Sequence, residues 1–282
     1  MNAVPRIPVR HRGFAAEQLP RYFFDDNPFL SALLVALSLT FPEGERFFVH
    51  SVRAVRDQVR DPQLQKDISG FIGQEAMHSR AHEQFNRWAA RLGLDIDTTL
   101  REEQQAIALA KQKLSPRQQL AVTCALEHFT AMIAQYLLSH PEFLEGLHPE
   151  VKPLWLWHAL EETEHKAVAF DVYRTVFADE KTRKAVMRFM TVSFLGRMTH
   201  LTFRFLQADP AGRRQWQKNW QGMRWVGRLL WALKPHYLEY YRDDFHPDDV
   251  DSTALTQQWS AWLDEQTRQE TAVDGPLAGV VA

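Results

Sequence analysis

This chain of 282 residues has a single cysteine, Cys124, which excludes an intrachain disulfide framework and fits a reducing compartment. It also lacks a strong charge of either sign. With 33 Lys and Arg against 35 Asp and Glu, the formal net charge is −2, and no global field recruits nucleic acid. Alternating β-branched runs bounded by Gly or Asn turns are missing, which removes the signature of strands. The opening residues, MNAVPRIPVRHRG, have no apolar core of a secretory signal, so a cytoplasmic location is expected. The nearest approach to a membrane span, Val186 to Leu206, is interrupted by Arg188, Arg197, His200 and Arg204. Such charges argue against a spanning helix and favour an interfacial or deeply packed one.

What is present reads as helix almost throughout. Asn27-Pro28 is an N-cap followed by Pro at the first helical position. A helix follows, kinked or restarted at Pro42 and Gly44 and running on to about residue 60. A second helix spans about 62–91. A polar stretch with a short connecting helix leads to a third from Ser115-Pro116 to about 138, and a fourth covers about 150–178. Further helices are expected near 181–207, 211–232 and 250–270. The domain plan is therefore an N-terminal segment (1–26), a helical bundle (27–180), C-terminal helices packed on it (181–270) and a frayed tail (271–282).

Two Glu-x-x-His pairs stand out, Glu75-Ala-Met-His78 and Glu162-Thr-Glu-His165, each preceded in the chain by a lone Glu, Glu45 and Glu127. Residues three apart on a helix share a face, so each pair can offer a carboxylate and an imidazole to one metal. A Glu from each of two helices plus a Glu-x-x-His from each of two others is the ligand set of di-iron and di-manganese carboxylate bundles. Four carboxylates balance two divalent cations, and oxygen-rich ligation suits iron or manganese, with zinc as an alternative. A third copy, Glu145-Gly-Leu-His148, falls in a loop with Pro and Gly and is a chance match. Glu127 lies in the apolar stretch LAVTCALEHFTAMIAQYLL, where an unpaired carboxylate is costly.

Two choices stay open at this level. Glu43 competes with Glu45, which is preferred because it precedes Phe47 and Phe48 in uninterrupted helix. Glu161 competes with Glu162, or hydrogen-bonds to a ligand. His82 and His158, one turn from the metal pairs, are candidates for orienting ligands or carrying protons. His128 points away from Glu127 and reads as structural.

The blocks FPEGERFF, GFIGQEAMHSRAHEQFN, ALEHFTA and WHALEETEHKAVAFDVY, with Phe245-His246-Pro247, resemble a bacterial family known as predicted metal-dependent hydrolases, grouped with the ferritin-like proteins. The resemblance spans roughly 20–250. It implies an all-α, ferritin-like four-helix bundle with a C-terminal helical extension, and ligands at Glu45, Glu75, His78, Glu127, Glu162 and His165. Three functions follow as expectations. The first is a di-iron oxidase or oxygenase acting on a small apolar substrate, as the aromatic content near the motifs suggests. The second is a two-metal hydrolase using a metal-activated water, and the third is metal storage. The basic and aromatic residues interleaved over 186–231 give a further expectation, contact with a membrane surface and a peripheral location.

Overall fold

The structure, a computed structural model, describes residues 7–14 and 19–273, with side chains as far as Arg268. Its helices are α1 (Pro28–Arg53), α2 (Pro62–Ala90), α3 (Ile96–Lys113), α4 (Pro116–Ser139), α5 (Lys152–His165), α6 (Val168–Val176), α7 (Glu180–Gln207), α8 (Pro210–Arg213), α9 (Trp216–Glu239) and α10 (Thr253–Val273). Among the described residues there is no strand, only an isolated bridge between Phe24 and Leu147. Starts of the helices follow their caps. The side chains of Asn27, Asp61, Asp95 and Ser115 each accept a hydrogen bond from a backbone amide in the first turn.

Register contacts fix the topology. Ser38 meets His82 and Asn86 while Glu45 meets Ser79, so α1 and α2 are antiparallel. Ser51 meets Thr123, and Cys124 meets Ala169 while Glu127 meets His165, which sets α4 antiparallel to both α1 and the α5–α6 arm. Helices α2 and α4 therefore run parallel, and a long crossover carrying α3 joins them. One long crossover is the connection pattern of ferritin-like bundles.

Two apolar clusters fill the bundle. One holds Leu39, Phe85, Trp88, Leu138, Trp157 and Leu160, the other Phe47, Val52, Phe71, Leu120, Cys124 and Val172. On each of the four long paths the chain passes from one cluster to the other through a short polar stretch. Those stretches hold Glu45, Glu75 with His78, Glu127, and Glu162 with His165, all buried. Each large side chain sealed in the flanking clusters contributes about 1.5–3 kcal/mol. The polar layer is thus held between two greasy ones.

Several boundaries differ from expectation. Helix α1 runs unbroken through Pro42 and ends at Arg53, not near 60. Pro42 has no amide to offer the Ser38 carbonyl, and the Asn86 side chain donates to that carbonyl instead, at 3.1 Å. The connecting helix α3 has 18 residues. The fourth path is not one helix: it breaks into turn at Lys166 and Ala167, directly after His165. There the buried Lys166 side chain donates to the Val250 carbonyl at 2.6 Å, tying the C-terminal segment to the end of α5. Helix α9 extends through Pro235 to Glu239, beyond the expected end at 232. Residues 271–273, expected in the frayed tail, belong to α10; the rest of that tail lies outside the described residues.

The helix expected to come nearest a membrane span is α7. By length and composition it is α4 that is apolar enough, with a mean hydropathy of 1.2, but α4 is half buried inside the bundle and carries Glu127. It is a core helix. Helices α7 and α9 both pack on α1 and α4, while α10 lies against α5 and α4.

Candidate metal centre

The polar layer gathers three sets of donors whose atoms lie within 4.8 Å of one another: Glu45, His78 and His158; Glu75, His78 and Glu162; and Glu75, Glu127 and His165. The six residues expected as ligands therefore meet in one place, and His158, expected beside the ligands, joins them. The His165 Nε2 atom lies 3.2 Å from Glu75 Oε1, 3.3 Å from Glu127 Oε2 and 3.7 Å from Glu162 Oε2. On the other side, His158 Nε2 is 2.9 Å from Glu162 Oε1, and His78 Nδ1 is 3.7 Å from the same oxygen. Glu162 thus stands at the centre, shared between both halves.

The two open choices resolve differently in space. Glu43 is partly exposed and accepts hydrogen bonds from Arg46 and Gln104, whereas Glu45 is buried and accepts from Ser79 at 2.7 Å. Glu161 sits behind the layer, with Oε2 3.1 Å from His78 Nε2 and Oε1 3.1 Å from Arg10. His82 does not join the donor sets. Its Nε2 meets His158 Nδ1 at 2.8 Å and its Nδ1 meets Ser38 Oγ at 2.8 Å, and Ser38 in turn donates to Asn86. The carbonyl freed by Pro42 is the anchor of this chain.

Spacing gave no hint of Gln74, Arg10 or Glu164. The Gln74 Oε1 atom holds His165 Nδ1 at 2.9 Å, while its amide nitrogen donates to Glu164 at 2.8 Å and to the Pro8 carbonyl at 2.9 Å. Arg10 grips Glu164 with both terminal nitrogens, at 2.8 and 2.7 Å. The N-terminal segment is therefore a strap across α2 and α5. It lies so close that a Cβ on Gly70 would come within 2.7 Å of Ile7. Holding the far nitrogen of a metal-binding imidazole in this way fixes its tautomer and its aim.

Electrostatics in the layer are unbalanced. Burial, then the neighbouring carboxylates, pushes Glu75 and Glu45 well above the usual carboxylate range, and Glu127 up to about 7. Burial also opposes charge on Glu162, but the His165 and His158 imidazoles overcome it and hold its carboxyl well below the ordinary value. Burial keeps His78 and His82 neutral, as metal ligation and hydrogen-bond relay require. Both oxygens of Glu75 and of Glu127, Oε1 of Glu45, Oε2 of Glu162 and Nε2 of His165 lack a hydrogen-bond partner. Buried polar groups are seldom left so, because each costs about 1–3 kcal/mol. Convergent orphaned oxygens and imidazole nitrogens are a donor set that cations would satisfy, and the residues fit a metal site.

One cavity of about 660 Å³ reaches this layer from outside, between α1 and α2, with Glu45 and Glu75 among its lining residues. Arg46, His50, Arg53, Arg80 and Glu83 line it as well, beside Val49, Ile72 and Ala76. Arg46 is engaged by Glu43 and Glu83. Arg53 and Arg80 are exposed and make no ion pair among the described residues.

An all-α bundle enclosing a buried carboxylate–histidine centre is the class that fold and site define. The chain matches the family described as predicted metal-dependent hydrolase over residues 8–251, and it belongs to that family. No curated protein and no solved structure matches it.

Proposed function

We propose that this protein is a hydrolase whose buried Glu–His layer holds a pair of divalent cations and acts on an anionic substrate entering between α1 and α2. The observation that carries this reading is the cavity: it runs in from the surface to the residues Glu45 and Glu75, past two arginines, Arg53 and Arg80, that make no ion pair among the described residues. When bound, two divalent ions supply a water activated at neutral pH and a clamp for developing negative charge. Glu75, Glu127, Glu162 and His165 hold one position, while Glu45, His78 and His158 complete the other, with Glu75 and Glu162 shared. His158 faces the layer through Nε2 and is held through Nδ1 by His82, which fixes the tautomer and aim with which it would serve as a ligand. Arg53 and Arg80 orient the substrate's anionic group. This substrate class takes the place of the small apolar one suggested by the aromatic residues.

Oxygen-dependent di-iron chemistry is the second reading. Rings of Phe71 and Trp157, each 5.0 Å from a ligand imidazole, give the layer the dry walls that such chemistry requires. The experiment that separates them loads the protein anaerobically with manganese, zinc or ferrous iron. Hydrolysis is then followed on chromogenic carboxyl and phosphate esters, and dioxygen uptake with an electrode. Hydrolysis without oxygen uptake, with KM raised by Arg53→Glu and Arg80→Glu at unchanged kcat, supports the proposal. Oxygen uptake by the iron form, with no ester cleaved by any form, refutes it.

A further inference from the structure

We propose that α7 and α9 together form a docking face for an anionic lipid bilayer. The outward stripe of α9 reads Trp216, Trp220, Arg224, Gly227, Trp231, Lys234 and Leu238, spaced by three or four residues along one side of the helix. Trp216, Trp220 and Trp231 are 69%, 56% and 74% exposed, and on the neighbouring α7 Phe189 and Val192 are 69% and 76% exposed. The opposite side of α9, with Leu229 and Leu233, is the side buried against the bundle. Scattered single apolar residues on a surface need no explanation, but three exposed tryptophans in line, beside a second helix exposing Phe and Val, form a patch that marks an interaction site.

Charge selects the occupant. Residues 180–239 contain twelve Lys and Arg against three Asp and Glu, in a chain whose formal net charge is −2. Several of these cations are answered by carboxylates: Arg183 by Glu180, Arg197 by Glu102 and Glu103, Lys218 by Asp26. Arg213, Arg214, Arg224 and Arg228, all exposed and all beside the tryptophan stripe, have no acidic partner among the described residues. A second copy meeting this face with its own would set two strongly basic surfaces against each other. A lipid surface answers both features at once. Tryptophan rings settle at the headgroup boundary, apolar side chains reach into the acyl region, and arginines lie on anionic headgroups. None of these helices spans; the bundle rests on the surface.

Flotation of the full-length, metal-loaded chain with vesicles tests this. Phosphatidylcholine vesicles containing phosphatidylglycerol are compared with pure phosphatidylcholine, at low and at high salt. The chain is expected to float with the anionic vesicles at low salt, to be largely released at high salt, and to stay behind with the neutral ones. Arg224→Glu with Arg228→Glu is expected to weaken partitioning about 25-fold or more, at about fivefold per cation near the surface. Trp220→Ala with Trp231→Ala is expected to abolish flotation. These side chains are exposed, so thermal melting and metal content of the variants should match the parent and serve as the folding control. A chain that stays in the supernatant with anionic vesicles at low salt overturns the proposal. So does a dimer in sedimentation equilibrium that Trp220→Ala with Trp231→Ala dissociates, since the face would then belong to a second copy.

Discussion

Replacing Arg10 by Met keeps the aliphatic stem and removes the charge that ties the N-terminal strap to the metal layer. Its guanidinium donates to Glu164 at 2.8 and 2.7 Å and to Glu161 at 3.1 Å, with Glu161 fully buried and Glu164 nearly so. Breaking a buried pair costs about 3–5 kcal/mol, because a carboxylate is left without compensation. Arg10 keeps 17% of its side chain exposed, so water recovers part of that loss. We expect a destabilisation of about 2–4 kcal/mol, and at about 2 °C per kcal/mol for a chain of this size, a melting point about 4–8 °C lower. The second consequence is specific to the site. Glu164 also receives Gln74, which holds the His165 imidazole. Freeing that arrangement should weaken metal binding about 10–100-fold. Chelator competition measures the affinity and calorimetry the stability. If Arg10→Met changes stability by less than about 0.5 kcal/mol and leaves affinity unchanged, the strap does not support the site and the reasoning fails.

Further expectations follow from other parts of the fold. Stripping metal with a chelator should lower the melting point, since ions bound at a hundred times their Kd add about 2.7 kcal/mol each; equal melting of stripped and loaded protein would contradict this. Asn86→Ala leaves the Ser38 carbonyl without its donor beside Pro42 and should cost about 1–3 kcal/mol in denaturant unfolding. The His246 imidazole is raised above its ordinary value chiefly by its 2.8 Å hydrogen bond to Asp171. A raised imidazole contributes stability that is complete below the ordinary value of 6.5 and lost as pH rises through the folded one. His246→Asn should therefore destabilise more in mildly acidic than in alkaline buffer, by less than about 1 kcal/mol because both partners are partly exposed.

Much of the site is legible in sequence because helical spacing is a geometric code. Glu75 with His78, and Glu162 with His165, share faces by their separation alone, and the apolar stretch around Glu127 marks a carboxylate that needs a partner. Choosing between Glu43 and Glu45 needed only the apolar run that follows. Other features were not legible. The strap carrying Arg10 has no periodicity, and nothing local announces that it crosses α2 and α5. Gln74 precedes a ligand by one residue, so by spacing it points elsewhere, and it reaches His165 only through tertiary packing. The break after His165 is equally silent, since Lys166 and Ala167 are ordinary helix formers. The Lys166 side chain instead meets a carbonyl at Val250, 84 residues away, a partner that local spacing does not announce.

Metal analysis of the full chain, reconstituted and then desalted, tests the central claim most directly, with Glu75→Ala and Glu127→Ala measured beside it. The account predicts two divalent ions per chain in the parent and at least one lost in each variant, with helical content unchanged. A parent that retains no metal after reconstitution, or variants that retain as much as the parent, would contradict it.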